Sequence, residues 1–531
     1  MCDHDARGGG ELIARGAGAL IAKAVSASDL RAHRFPRVPD SSSFLASDPP
    51  AMTDNPDPLD ATLPRREFLR LATLGTGVVL CAGMPSGAAA EAVATLAPQM
   101  RARGRAQSSS HVIVIGAGAW GAFTAWNLRK AGNRVTIIDQ LGPANSRSTS
   151  GDETRGIRSS YGDRTLTPEL WTDWARKSIE HWRNFDAEHA KRFGTRFFFT
   201  TGDVILREKA EAFTTRTQEL WTAQGVKFEV LSTDDAIKRW PQIRSDGNSV
   251  VLYEPDAGVA RARSSVQATI ALARDAGAQF QIGRVTPGPI QNGNMDGITL
   301  VDGTRLTADA YVFCCGPWLE KIFPDTLRNK TRVPLGHVCY FGTPIGDDRF
   351  TNPNIPSWNV PGVTGWAALP VDNRGFRVRG ALAAPAPPRT AGADDTPLPP
   401  PPQSTPDPRQ QDPDQSTRWS NEERIDGSQR VLQKYFPALA DAPLLETRSC
   451  HYEISVNSNF IVDRVPGAAN AWIAGMGQAE GFKFSIVLGE YIASRVTGHD
   501  GDPAIAAAFK LPTQPYDPTP GGASPQREED E

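Results

Sequence analysis

The sequence predicts an α/β fold in which a domain with a parallel sheet is interleaved with a second, α+β domain of mixed sheet and helices. A short apolar run, His111 to Ile115, leads into a glycine-rich turn, a helical segment and a second apolar run, Val135 to Ile138. That is the pattern of buried parallel strands joined by a crossover helix. Further along, strand-like and helical segments keep alternating, which suits interleaved domains better than a domain added at the tail. A length of 531 residues is also too great for one small core, so two domains or one large interleaved unit is expected.

The totals narrow the function classes. A count of 57 basic against 60 acidic residues leaves a net charge of −3, which argues against the electrostatic footprint of a nucleic-acid binder. With 39% hydrophobic and 8% aromatic residues, most of the chain reads as an ordinary soluble globular protein. The six cysteines, Cys2, Cys81, Cys314, Cys315, Cys339 and Cys450, form no CxxC pair and no disulfide framework, and no metal site is expected. Cys314 and Cys315 adjoin in an expected strand, where neighbouring side chains face opposite ways and a bond between them would be strained. Cys450 stands alone in "ETRSCHYEISVNSNFIVDRVP"; by itself a lone thiol reads as a small core residue.

Residues 1–51 are rich in Gly, Ala, Ser, Arg and Asp and read as disordered or as an upstream mis-start. Residues 52–90 read as an export signal: Arg65 and Arg66, then Phe68 and Leu69, a mildly apolar run, and the small residues Ala88 to Ala90. The order charged, apolar, small is that of a signal, and the arginine pair suits the twin-arginine type. The apolar run is shorter than the roughly 20 residues that span a bilayer. A linker, 91–109, follows.

The stretch "SHVIVIGAGAWGAFTAWNLRKAGNRVTIIDQ" carries Gly116, Gly118 and Gly121 as G-x-G-x-x-G. Gly116 permits the tight turn, Gly118 lets a pyrophosphate reach the backbone, and Gly121 with Ala125 lets the helix pack closely on the strand. The helix presents its positive end to phosphates. The second strand ends in Asp139, an acid about 20 residues past the glycines that can accept from ribose hydroxyls and disfavours a 2′-phosphate. Strand, glycines, helix, strand and acid together predict a Rossmann-type dinucleotide site. They do not separate NAD from FAD.

Next comes "GPANSRSTSGDETRGIRSSYGD", a loop in which Arg155 and Arg158 stand three apart. On a helical turn that spacing gathers both guanidiniums on one face. They could neutralise a phosphate, hold a substrate carboxylate, stabilise a reduced flavin, or form a solvated basic turn. The segment resembles the Ser-x-x-Gly-Asp-Thr-Arg-x-x-Arg-x-x-Tyr-Gly stretch of the monomeric sarcosine oxidase and N-methyltryptophan oxidase family, FAD enzymes of the D-amino-acid-oxidase-like group. "TADAYVFCCGPWLEKIF" and "CHYEISVNSNFIVDRVPGAANAWIAGMGQAEGFKFSIVLGEYIA" resemble two further blocks of it, in order. The likeness runs over roughly 110–510.

The resemblance implies a site residue by residue. Cys450 matches the cysteine that carries FAD through a thioether; thiolate is the reactive form, favoured by nearby positive charge, with Arg448 and His451 as sequence neighbours. Tyr452 matches a residue that borders the substrate. Arg158 and Lys483 match the pair that clamps the substrate carboxylate, and Arg155 the arginine lying against the flavin. Gln140, Ser148, Gly316, Gly481 and Phe482, with Gly116, Gly118, Gly121, Asp139 and Lys483, fall among the implied FAD-binding positions. Three positions depart from the family. Arg377 replaces the lysine that promotes reaction with oxygen, while Ala381 and Glu480 replace active-site histidines. Glu480 could pair with a cationic nitrogen or be solvated, and sarcosine itself is not the expected substrate.

In the remainder, "ELWTDWARKSIEHWRNF" has helical spacing, with Trp171, Trp174 and Trp182 expected in the core. "VKFEVLS" and "SVVLYEPDAGVAR" read as strands, and "ARSSVQATIALARDAGAQF" as a helix. The expected FAD-binding domain takes in 110–190, 250–332 and 430–510, and the substrate domain 191–249 and 333–429. Within the latter, a solvated insertion spans 383–416, with eleven prolines across 385–413 that favour extended polyproline II. Residues 511–531 form a tail. The expected activity is an exported (periplasmic or extracellular) FAD-dependent amine oxidase acting on the CH–NH bond of a carboxylated amine, with oxygen reduced to peroxide; without use of the signal it stays cytoplasmic. The rivals are a dehydrogenase passing electrons to a quinone or carrier protein, and a flavin-bearing binding protein without turnover. A monomer with a small-molecule substrate, no nucleic acid and no stable membrane span is expected.

Overall fold

The computed structural model describes residues 109–370, 374–384, 412–499 and 501–515. By contacts the chain divides into Met1–Arg105 and Ala106–Glu531. The first unit, with the expected signal, lies outside the described residues, as do most of the proline-rich insertion and most of the tail. Among the described residues no helix is long and apolar enough to cross a membrane.

The fold is α/β, with parallel and antiparallel sheets. A six-stranded sheet has the order Ile461–Arg464, Ala471–Gly475, Ala310–Phe313, His111–Ile115, Arg134–Asp139, Gln279–Ile282. All its pairings are parallel except that of the edge strand Ile461–Arg464. The run His111–Ile115 is apolar at every inner position because both faces are covered. Val112 and Val114 pack into one cluster with residues of the helices Ala119–Lys130, Ala262–Asp275 and Gly481–Val496; Ile113 and Ile115 face a second with Ile138, Phe313 and Ile461. Each fully buried aliphatic side chain contributes about 1.5–3 kcal/mol, so one short strand anchors two cores.

An eight-stranded sheet has the order Leu444–His451, Leu335–Phe341, Phe376–Arg379, Val363–Trp366, Ser357–Val360, Asp203–Arg207, Val250–Glu254, Glu229–Leu231. Trp358, Phe376 and Phe436 centre its core. Two of its strands correct the expected boundaries. Val250–Glu254 and Leu444–His451 fall within ranges assigned from sequence to the nucleotide-binding domain, yet both pair in this sheet. A run of β-branched and aromatic residues such as Val250–Glu254 announces a strand but not the sheet it joins.

The helix Pro168–Phe193 starts on a proline and stops at Gly194, whose φ of +63° is left-handed. Its Trp171, Trp174 and Trp182 are buried, and Trp171 stacks on Phe460 at 4.5 Å. Arg155 lies not on a helical turn but in the strand Thr154–Ile157, which pairs antiparallel with Gly258–Arg261. Arg158 follows directly, so the two guanidiniums diverge. Cys314 and Cys315 likewise lie just beyond the strand Ala310–Phe313 rather than in it. They, Cys339 and Cys450 are free thiols.

Candidate active site

The first strand and its helix are joined by a turn that only glycine fits. Gly116 has φ +102°, and a Cβ there would lie 2.2 Å from the Cys314 carbonyl oxygen; a Cβ on Gly121 would lie 1.9 Å from that of Gly116. Gly118 is different: a Cβ there would meet only Ser150 Oγ, at 3.4 Å, because this position faces open space. Asp139 closes the turn. Its Oδ2 accepts from the Ala117 amide at 2.8 Å and its Oδ1 from the Leu141 and Gly142 amides at 2.8 and 2.7 Å. One lone pair of Oδ2 is left for a ribose hydroxyl.

The turn opens on a cleft of about 1470 Å³, a volume that includes its solvent-open mouth. Its lining runs from the glycine turn to the start of helix Gly481–Val496, an elongated shape that suits an extended dinucleotide. Of the sequence-derived candidates, Gly116, Gly118, Asp139, Gln140, Ser148, Arg155, Gly316, Tyr452, Gly481 and Phe482 line it. Gly121 packs behind the wall. The N-terminus of helix Ala119–Lys130, with its unmatched amides, meets the N-terminus of Gly481–Val496 across the cleft, where Trp120 Nε1 donates to the Gly481 carbonyl at 3.0 Å.

The turn before helix Gly481–Val496 is held by long-range contacts. Met476, Gln478 and Ala479 have left-handed φ of 61°, 54° and 56°, a conformation costing non-glycine residues roughly 1–3 kcal/mol each. Buried Gln478 offsets this by donating to Ser455 Oγ at 2.8 Å and the Asn459 carbonyl at 2.9 Å. The turn delivers Lys483 to the interior, where its Nζ donates to Tyr161 Oη at 2.7 Å and pairs with Glu480. Glu480 is therefore not simply solvated.

Arg158 is 9% exposed, and its guanidinium makes no hydrogen bond or ion pair within 4 Å among the described residues. Burial opposes its charge, but Asp203 and Glu480 nearby hold it firmly protonated. Burial raises Asp203 to about 6 against the pull of Arg158 and Lys483. It raises Glu254 to about 7 despite hydrogen bonds from the Ser159 hydroxyl (2.6 Å) and amide (3.0 Å).

A second charged group sits on the side of Cys450. Asp152, 5% exposed, pairs with Arg155 and, at 3.4 Å, with Arg377, and accepts from Tyr340 Oη at 3.0 Å. Burial works against its charge, yet the two guanidiniums hold the carboxyl well below the usual carboxylate range. Arg155 Nη2 reaches the Thr149 carbonyl at 2.6 Å and Cys450 Sγ at 3.8 Å. The cation beside the thiol is thus Arg155. Arg448, the expected neighbour, turns to Glu446 at 3.3 Å and Glu153 at 3.8 Å. Arg377 lies 3.9 Å from the centre of the Trp366 ring, the cation–π face of a buried slot. Ala381 packs away from the cleft, where a Cβ on Gly427 would come within 2.5 Å of its own.

Asp152, Tyr161, Asp203, Glu254 and Glu453 were not found from sequence. Glu453 lines the cleft, 6% exposed, and burial raises it to about 7. Its position beside Cys450 and Tyr452 was the available signal; Asp203 and Glu254 gave none, since they are opposite each other on paired strands and the strand of Asp203 pairs in turn with Ser357–Val360, over 150 residues on.

Comparison with known proteins gives the family. The family profile described as DAO, FAD dependent oxidoreductase, matches residues 111–495. Monomeric sarcosine oxidase from Bacillus sp. (strain B-0618) is 26% identical over 397 residues, 72% of this chain and 90% of that protein. N-methyl-L-tryptophan oxidase from Shigella flexneri serotype 5b (strain 8401) is 24% identical over 393 residues, 72% of this chain and 93% of that protein. Among solved structures, L-proline dehydrogenase from P. horikoshii shares the fold with a TM-score of 0.58 at 19% identity, covering 76% of this chain and 95% of that one.

Proposed function

Because the chain belongs to the FAD-dependent oxidoreductase family, we propose that it oxidises the CH–NH bond of a carboxylated amine, an N-alkyl, cyclic or other amino acid, to an imine, with oxygen reduced to hydrogen peroxide. The observation that carries this is Arg158, a buried guanidinium whose fork has no partner of its own among the described residues. Arginine matches a carboxylate bidentately.

The residues present fit FAD. Gly116 allows the tight turn, Gly118 leaves the backbone open to the cleft, the helix at Ala119 offers amides to a pyrophosphate, and Asp139 keeps an acceptor for ribose. When bound, FAD supplies the two-electron acceptor for the substrate's hydride and hands the electrons on. The protein's share is orientation and charge. Arg158, buried, fixes the substrate by its carboxylate, and Tyr452 borders the site. The imine hydrolyses after leaving, to a carbonyl product and an amine. Arg155 beside Cys450 supports a covalent thioether to FAD. The protein acts as a monomer and is exported through its twin-arginine segment, a route that carries folded, cofactor-loaded proteins.

The test is anaerobic addition of N-methyl and cyclic amino acids to the purified protein, followed by admission of oxygen and a peroxide assay. Bleaching of the flavin by a carboxylated amine, with peroxide afterwards, is expected; a panel that bleaches nothing overturns the reading. Arg377 motivates one rival. A guanidinium held by Asp152 and Trp366 stands where the resemblance implies a lysine, and slow reoxidation in air together with fast transfer to a quinone would favour a dehydrogenase.

A further inference from the structure

The group around Lys483 differs in charge from a two-cation clamp. Lys483 is 4% exposed and its ammonium is paired with Glu480, whose side chain is 20% exposed. Asp203, 2% exposed, keeps Oδ2 buried without a hydrogen bond and faces both Arg158 and Lys483. Glu254 adds a third carboxyl, 1% exposed. Two cations therefore meet three acids. Arg207 and Arg164 also bear on Asp203, but Arg207 is engaged by Glu211 at 3.1 Å and by Asn359, and half-buried Arg164 lies over the Phe213 ring.

We propose that Glu480 is a specificity-determining residue: by occupying Lys483 it leaves Arg158 as the one carboxylate fork and selects amines that carry a single carboxylate together with a further cationic group. This rests on the amine-oxidising reading and narrows its substrate class. The physical reason is that buried charge must be compensated. Two unopposed cations would neutralise a dicarboxylate. With Glu480 and Asp203 present no positive charge is in surplus, so a second carboxylate would enter unpaired beside acids. Once the substrate carboxylate sits on Arg158, the two cations and the Glu480 and Asp203 carboxylates leave one net negative charge, which a second ammonium or guanidinium on the substrate neutralises.

The test uses the flavin-loaded full chain and non-reacting ligands: succinate as the dicarboxylate and 4-guanidinobutyrate as the cationic carboxylate, each titrated by its perturbation of the flavin absorbance. The wild type is expected to bind the cationic carboxylate at least tenfold more tightly. Glu480→Gln frees Lys483 and should shift the ratio about tenfold towards succinate. Asp203→Asn should shift it the same way, and serves where the first variant folds poorly. Equal wild-type affinities, or a ratio unmoved in whichever variant retains bound flavin and a cooperative melt, would overturn the proposal. Because no turnover is needed, a shifted ratio in a protein that oxidises no amine would uphold the specificity and reject the activity.

Discussion

Removing the charge of Asp152 tests how the cationic side of the site is held together. One carboxylate, 5% exposed, serves Arg155, Arg377 and the Tyr340 hydroxyl. Arg377 depends on it heavily, since its Nε and Nη1 are buried without hydrogen-bond partners. Asp152→Asn keeps the shape and deletes the charge, leaving two guanidiniums to repel each other in a poorly solvated space. Breaking a buried pair by removing one partner costs about 3–5 kcal/mol. At roughly 2.1 cal/mol/K per residue, a unit the size of Ala106–Glu531 should lose about 3–6 °C in Tm. The sign with pH is fixed by the depressed carboxyl: its stabilisation is complete above the ordinary aspartate value near 4 and is lost only as pH falls towards the folded value. The difference between wild type and variant should therefore be constant from pH 5 to 8. Differential scanning calorimetry of both proteins, with Tyr340→Phe as the charge-preserving control, reads it out. A loss under 1 °C, or one equal to that of the control, would refute the view that Asp152 compensates the two arginines.

Three further outcomes follow from the geometry. Arg158→Lys keeps the charge but loses the fork, so KM for a carboxylated amine should rise about tenfold or more with flavin content unchanged; an unaltered KM in steady-state kinetics contradicts the assignment. Cys450→Ser should fold and bind flavin yet release it into the supernatant on acid precipitation, whereas the parent pellet keeps its fluorescence. Glu254, raised to about 7 by burial, makes the native state bind its proton more tightly than the unfolded chain. Stability should fall as pH rises from about 4.5 to 7, by on the order of 3 kcal/mol from this group; Glu254→Gln should flatten that slope in urea titrations at pH 5 and 8, and an unchanged slope counts against it.

The parts of the site legible in the sequence are those set by local chemistry. The glycine turn, Asp139 and the Gly-Phe-Lys-Phe entry to helix Gly481–Val496 each depend on residues close in the chain, and each lines or flanks the cleft. The misreadings came where distant segments decide. Arg155 and Arg158 have helical spacing, but the segment is a strand because Gly258–Arg261, a hundred residues on, pairs with it. The cation beside Cys450 is likewise Arg155, 295 residues before it, rather than Arg448. Asp203 sits in an apolar strand and looks like a surface acid; only the parallel pairing with Ser357–Val360 shows that it is enclosed. A local pattern records what a segment can form, and long-range pairing decides which charges meet.

The account as a whole requires FAD between the Gly116–Gly121 turn and the start of helix Gly481–Val496. Its most direct test is the visible spectrum of the purified full-length protein, with flavin stoichiometry measured before and after incubation with free FAD. One FAD per chain is predicted, with binding abolished in a Gly118→Val variant that still folds. A well-folded, colourless protein that takes up no FAD would contradict the account.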